Sequence, residues 1–259
     1  MIHRHLIANF KMNLLDSEIH TYLSRLDQSN VLKGGLNEHL HVGIAPSTPY
    51  LLSCKKYLST RSTPLDLYAQ NIAMATEGAH TGEVSARQVR DCGAQGSIIG
   101  HSERRSRYHE NSKILIEKMR ILKEMNMRAI YCLGEDTSDL SDQALENVLG
   151  EQVKSLIDFP FNHLIVAYEP KWAIGTGRDA QPQHIHKAAS YIHRHLYMLY
   201  GPDQAAKIPL LYGGSVNAQN FSAILGVKNI HGALVGSASL DLDHFIALIE
   251  IFINANLSK

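Results

Sequence analysis

Leu164-Ile165-Val166-Ala167-Tyr168-Glu169-Pro170-Lys171-Trp172 passes from an unbroken apolar run directly into a carboxylate, a proline and a cation. A short continuous apolar run reads as a strand buried on both faces of a parallel sheet. Its charged residues all follow its last apolar residue, so they collect at the end where the chain leaves the sheet. Comparable runs lie near 5–9, 40–45, 66–70, 96–100, 128–133, 163–168, 208–212 and 230–235.

Amphipathic segments separate these runs. Ile19, Tyr22, Leu23 and Leu26 keep helical spacing after Asp16-Ser17, a pair suited to capping free N–H groups. Ile185, Ala189, Ile192, Leu196 and Leu199 repeat the pattern, with Pro182 at the start and Gly201-Pro202 as the stop. Leu242, Phe245, Ile246 and Ile249 form the last such face. Eight strand–helix alternations in 259 residues predict an α/β chain folded as one closed (β/α)8 barrel over 1–259, eight parallel strands surrounded by helices. An open doubly wound sheet would often place a glycine-rich turn after its first strand. That position reads Asn9-Phe10-Lys11-Met12-Asn13 instead.

Composition narrows the partners. Twenty-five basic and 25 acidic residues cancel, so no whole-protein field favours nucleic acid or a membrane surface. Any anionic ligand must be held by local groups. Neither a bilayer-length apolar run nor a signal-peptide core is present, and Cys54, Cys92 and Cys132 are an odd set without Cys-x-x-Cys spacing. The expectation is a cytoplasmic protein with free thiols. Fifteen histidines include the pairs His3/His5, His39/His41, His184/His186 and His193/His195. On a strand this spacing puts both rings on one face, where a metal could bridge them; on a helix it does not. With no carboxylate or thiolate at a ligand spacing, structural or solvated histidine is the preferred reading and no metal is expected.

In a (β/α)8 barrel, chemistry gathers at the C-terminal ends of the strands. Those ends read Asn9-Phe10-Lys11, Gln70-Asn71, Gly100-His101-Ser102-Glu103-Arg104-Arg105, Cys132-Leu133-Gly134-Glu135, Glu169-Pro170-Lys171-Trp172, Tyr212-Gly213-Gly214-Ser215 and Gly236-Ser237. Polar groups at nearly every one point to a binding or catalytic site.

The segments Asn9-x-Lys11-Met12-Asn13, Gly100 through Arg105, Ala167 through Gly177 and Tyr212 through Val216 resemble the signature segments of the triosephosphate isomerase family, in its order and across essentially the whole chain. The resemblance implies a TIM barrel that interconverts dihydroxyacetone phosphate and D-glyceraldehyde 3-phosphate by proton transfer through an enediolate, without metal or organic cofactor. It implies Glu169 as the base, His101 as a neutral donor to the substrate carbonyl and Lys11 as a fixed positive charge. Asn9 is implied as a further substrate contact and Glu103 as a further functional acid. Gly213-Gly214-Ser215 and Gly236-Ser237 are the implied phosphate clamp, and 170–179 the mobile lid whose Gly175 N–H closes on the phosphate.

Three positions depart from the family pattern. Phe10 stands where Trp is usual, Lys171 where a small apolar residue is usual at the lid's first hinge, and Ser237 where a second Gly is usual. An isomerase of four-carbon ketose phosphates is the alternative within the enzyme class, and a catalytically silent phosphate-binding relative the alternative outside it. The long loop 72–83, carrying Ile72, Met74 and several alanines, resembles the segment that docks into a neighbouring subunit. A homodimer follows, with Thr81 close to the partner's active site.

Overall fold

The computed structural model describes residues 2–33, 36–61, 63–174 and 180–257. Eight parallel strands, β1 (Arg4–Asn9), β2 (Leu40–Ala45), β3 (Asp66–Ala69), β4 (Gly96–Ile99), β5 (Arg128–Leu133), β6 (Leu164–Tyr168), β7 (Leu210–Tyr212) and β8 (Gly232–Val235), pair in chain order and close into a barrel. This is the predicted (β/α)8 architecture. The seam is β1 against β8, with His5 opposite Gly232 and Ala8 opposite Val235. Gly232 has φ +143, and a Cβ there would lie 1.8 Å from the carbonyl oxygen of His5, so only glycine lets the last strand approach the first.

Alternation along each strand divides the apolar residues into two cores. Ile7, Tyr68, Ile98, Ile130, Ile165 and Leu234 fill the barrel interior with other small or branched residues. Leu6, Ala8, Val42, Ile44, Val166 and Tyr168 face outward, under the helices. A fully buried Leu or Ile contributes about 1.5–3 kcal/mol relative to exposure, so both layers are needed. The same alternation places Asn9 above Ile7 and Glu169 above Ala167 and Ile165, on the inward face and at the C-terminal rim.

The helical faces lie where their spacing put them, with Ile19, Tyr22, Leu23 and Leu26 buried in the helix Asp16–Gln28. Its start corrects the expected cap. Leu15 occupies the cap position and Asp16 is already helical, while Glu18 Oε2 reaches back to accept the Leu15 N–H at 2.7 Å. The helix Pro182–Tyr200 begins on its proline and ends at Gly201, whose φ of +77 a side chain would disfavour. Strand β7 starts at Leu210 rather than 208, because Pro209 has no N–H to give the ladder. In loop 72–83, Ile72 is buried against its own barrel and is not available for docking, whereas Met74 is 50% exposed. Among the described residues, no helix is long and apolar enough to cross a membrane.

Candidate active site

A cavity of about 150 Å3 opens at the C-terminal rim, lined by Asn9, Lys11, His101 and Glu169 on one side and Ser215, Gly236 and Ser237 on the other. Seven of the predicted site residues thus share one cavity. Glu103 lies across Lys11, in an adjoining cavity of about 410 Å3 that Asn9, Lys11 and His101 also line. Gly175 falls outside the described residues, as do the other residues from 176 to 179 of the expected lid 170–179.

Lys11 has φ +51, an uncommon conformation for a residue with a side chain. Three hydrogen bonds fix it. Its N–H donates to Asn9 Oδ1 at 3.0 Å, and its carbonyl accepts from Ser47 Oγ at 2.9 Å and Gln70 Nε2 at 2.7 Å. The ammonium then reaches Glu103 Oε1 at 2.9 Å. Burial raises the Glu103 carboxyl, but the hydrogen bond and charge of Lys11 outweigh it and hold the group below the usual carboxylate range. Glu103 is therefore ionised at neutral pH.

His101 follows Gly100, whose φ of +71 turns the chain out of β4. Its Nδ1 caps the helix Ser102–Arg107 by accepting the Glu103 N–H at 3.2 Å. A ring nitrogen that accepts carries no proton, so in the neutral ring the hydrogen sits on Nε2. That Nε2 is 3.3 Å from Glu169 Oε1. Arg105 braces the same turn by donating to Gly100 O and Cys132 O, each at 2.7 Å.

Glu169 is 3% exposed. Its Oε2 accepts the Ser102 N–H at 2.8 Å, while Oε1 has no hydrogen-bond partner among the described residues. Two glycines make room for it. A Cβ on Gly134 would lie 1.9 Å from the Glu169 carbonyl oxygen, and one on Gly213 would lie 2.8 Å from Glu169 Cγ. Beneath it, burial and then the Glu169 charge push the Cys132 thiol well up, so it stays neutral. Gly236 packs against the Lys11 stem and caps the short helix Ser237–Ser239, leaving backbone N–H groups at the cavity edge.

The triosephosphate isomerase family model matches residues 4–252. The chain is 37% identical over 251 residues to a triosephosphate isomerase of Mycoplasmoides gallisepticum, covering 95% of this chain and 97% of that one. It is 36% identical to one of Thermodesulfovibrio yellowstonii, covering 95% and 98%, and 35% identical to one of Chlamydia trachomatis, covering 94% and 88%. The chain belongs to the triosephosphate isomerase family. By that membership it is an isomerase built on a TIM barrel.

Two of the three departures have visible partners. Phe10 is buried and meets Tyr22 edge-on at 5.1 Å, filling the place of the larger ring. Lys171 Nζ pairs with Asp136 Oδ1 at 2.8 Å, and the Lys171 N–H donates to Glu135 O at 3.0 Å. Sequence reasoning assigned Glu135 no role. Its Oε1 accepts from Trp172 Nε1 at 2.8 Å and Tyr168 OH at 2.9 Å, with His184 Nε2 also at 2.9 Å. Burial raises the Glu135 carboxyl, yet these donors together bring it below the usual range. Ser102, Gln70, Ser47, Arg105 and Gly134 were likewise quoted without a role or passed over, because each acts on a neighbour from another strand.

Proposed function

We propose that this isomerase interconverts dihydroxyacetone phosphate and D-glyceraldehyde 3-phosphate, with Glu169 as base and His101 as electrophile. The observation that carries the reading is the meeting of Glu169, His101 and Lys11 with the Gly236-Ser237 backbone in one small cavity. The Glu169 carboxylate takes a proton from C1 of the ketose, and Nε2–H of His101 donates to the carbonyl oxygen as negative charge develops there. As that proton returns to C2, the C1 hydroxyl gives up its own proton, which passes by way of His101 to the oxygen on C2, and the aldose forms. The family is itself the standard example of a glutamate base working beside a neutral histidine.

Lys11 faces the oxyanion and the phosphate as a fixed charge, and Asn9 orients the substrate. Glu103, ionised and paired with Lys11, holds that ammonium in place and is the further acidic residue near the substrate. The phosphate is held by backbone N–H groups around Ser215, Gly236 and Ser237. A cradle of backbone suits a phosphate in a chain whose formal charge is zero.

The chain acts as one domain and pairs as a homodimer in the cytoplasm. Met12, 94% exposed, and the exposed Met74 and Thr81 support a face that a second copy covers. A coupled assay on glyceraldehyde 3-phosphate beside erythrose 4-phosphate tests the reaction. The three-carbon substrate is expected to turn over far faster, and comparable kcat/KM on the four-carbon sugar would restore the rival reading.

A further inference from the structure

The N-terminal mouth of the barrel, opposite the cavity above, carries its own cluster. His5 and His41 are register partners on β1 and β2, their rings stacked at 4.7 Å and 17°. Asp66 opens β3 opposite Gly43, two residues past His41. By strand alternation all three share the inward face with Ile7, Ala45 and Tyr68. One nitrogen or oxygen from each lies within 4.8 Å of those of the other two.

We propose that His5, His41 and Asp66 form a site for a divalent first-row transition ion of the zinc class. Two imidazoles and a carboxylate are a zinc-type donor set, with a fourth position left for water. Bonds of about 2.0–2.2 Å in a tetrahedron put donors about 3.4 Å apart, so the three side chains need close only slightly.

A second observation points the same way. His5 is 3% exposed, and its Nδ1 has no hydrogen-bond partner among the described residues. A buried ring nitrogen left unpaired has lost its water without gaining a partner, a loss that a ligand in this mouth would make good. His41 is set up in the manner of a metal ligand. Its Nδ1 stands 3.5 Å from Asp66 Oδ2, while its Nε2 meets His3 Nδ1 at 2.9 Å. A ligating histidine commonly donates its second N–H to such a partner, which fixes the ring.

Arg128 is the rival cation, with Nη1 3.4 Å from Asp66 Oδ2. It also reaches Tyr68 OH at 3.4 Å and Gln95 Oε1 at 3.3 Å. These are long contacts on one carboxylate oxygen, and Oδ1 remains for an ion. An open cavity of about 800 Å3, lined by His41 and Asp66 among others, gives entry.

The test uses the full-length protein, stripped with chelator and titrated with Zn2+ and Co2+. One Zn2+ per chain is expected, and Co2+ is expected to give the visible absorption of a four-coordinate site, abolished by one equivalent of Zn2+. His41→Gln and Asp66→Asn should each weaken Zn2+ binding at least 10-fold, and His186→Gln, on an exposed helix face, should leave it unchanged. Should either mouth variant fail to fold by circular dichroism, the wild-type cobalt spectrum and the other variant still decide. Absence of the cobalt signal, or equal Zn2+ affinity in wild type and a folded mouth variant, overturns the site.

Discussion

The backbone N–H of Ser102 donates to Oε2 of Glu169 at 2.8 Å, joining the first residue of the helix after β4 to the carboxylate at the end of β6. In the proposed reaction the carboxylate leaves this bond to reach a substrate carbon. Glu169→Asp shortens the side chain by one methylene, roughly 1 Å, and misplacement of that size costs on the order of 10²-fold. Steady-state kinetics should show kcat falling with little change in KM, because binding rests on the phosphate cradle. A variant keeping more than half of wild-type kcat would remove Glu169 from the role of base.

Lys11→Met and His101→Gln should separate binding from chemistry. Lysine faces the substrate before and during reaction, so its loss should raise KM and lower kcat together. Removing the His101 donor should act mainly on kcat. If both variants were kinetically silent, the assignment of the cavity would be wrong.

Gly134→Ala should be among the most damaging small substitutions. The added methyl would meet backbone, the Glu169 carbonyl at 1.9 Å, which cannot swing aside. Overpacking of this kind costs about 1–3 kcal/mol or more. Gly213→Ala crowds the Glu169 side chain, at 2.8 Å from Cγ, and meets the Tyr168 carbonyl oxygen only at an ordinary 3.4 Å, so it should keep more stability while losing kcat. Thermal melts beside kinetics check the contrast, and equal melting temperatures for Gly134→Ala and wild type would contradict it.

Glu135 predicts an acid-limb effect. Its folded carboxyl sits below the ordinary value of 4.5, so its stabilisation is complete above about pH 4.5. It is lost as pH falls through the lower folded value. Glu135→Gln should melt lower at neutral pH, by the equivalent of roughly 1.5–3 kcal/mol for charged hydrogen bonds lost. The gap to wild type should narrow in acid, and melting curves between pH 7 and pH 3 read it directly.

The Lys171–Asp136 pair is solvent-exposed, so it should contribute no more than about 1 kcal/mol and be screened by salt. Lys171→Val should leave the melting temperature nearly unchanged while freeing the hinge. Its kcat at low salt should match wild type at high salt. Asp136→Asn should behave alike, and the double variant should add nothing further.

Thr81→Arg should yield monomers with strongly reduced kcat, although Thr81 lies outside its own subunit's cavity. The closed twofold pair is the commonest assembly, which sets the expectation. Sedimentation showing a fully active wild-type monomer at micromolar concentration would end this reading.

The barrel and much of its candidate site were legible in sequence because both follow from strand periodicity. Glu169, Lys11 and Asn9 stand where an inward-facing residue passes the end of an apolar run. What escaped notice depends on contacts between strands. Gly134 matters only because β6 crosses beside it, Gln70 and Ser47 only because they reach the Lys11 carbonyl, and Asp66 joins His5 and His41 only across a third strand. The helix start at Leu15 escaped because the cap is made by Glu18 from within the helix.

The seam between β1 and β8 sets an order on synthesis. Asn9 and Lys11 leave the ribosome well before Gly236 and Ser237, which complete their cavity. At about 5–20 residues per second, the first strand waits on the order of tens of seconds for its second neighbour. Until Gly232 slides past His5, one side of β1 is an unpaired edge, open to association with other nascent chains. A product cut short before β8 would therefore be both inert and adhesive.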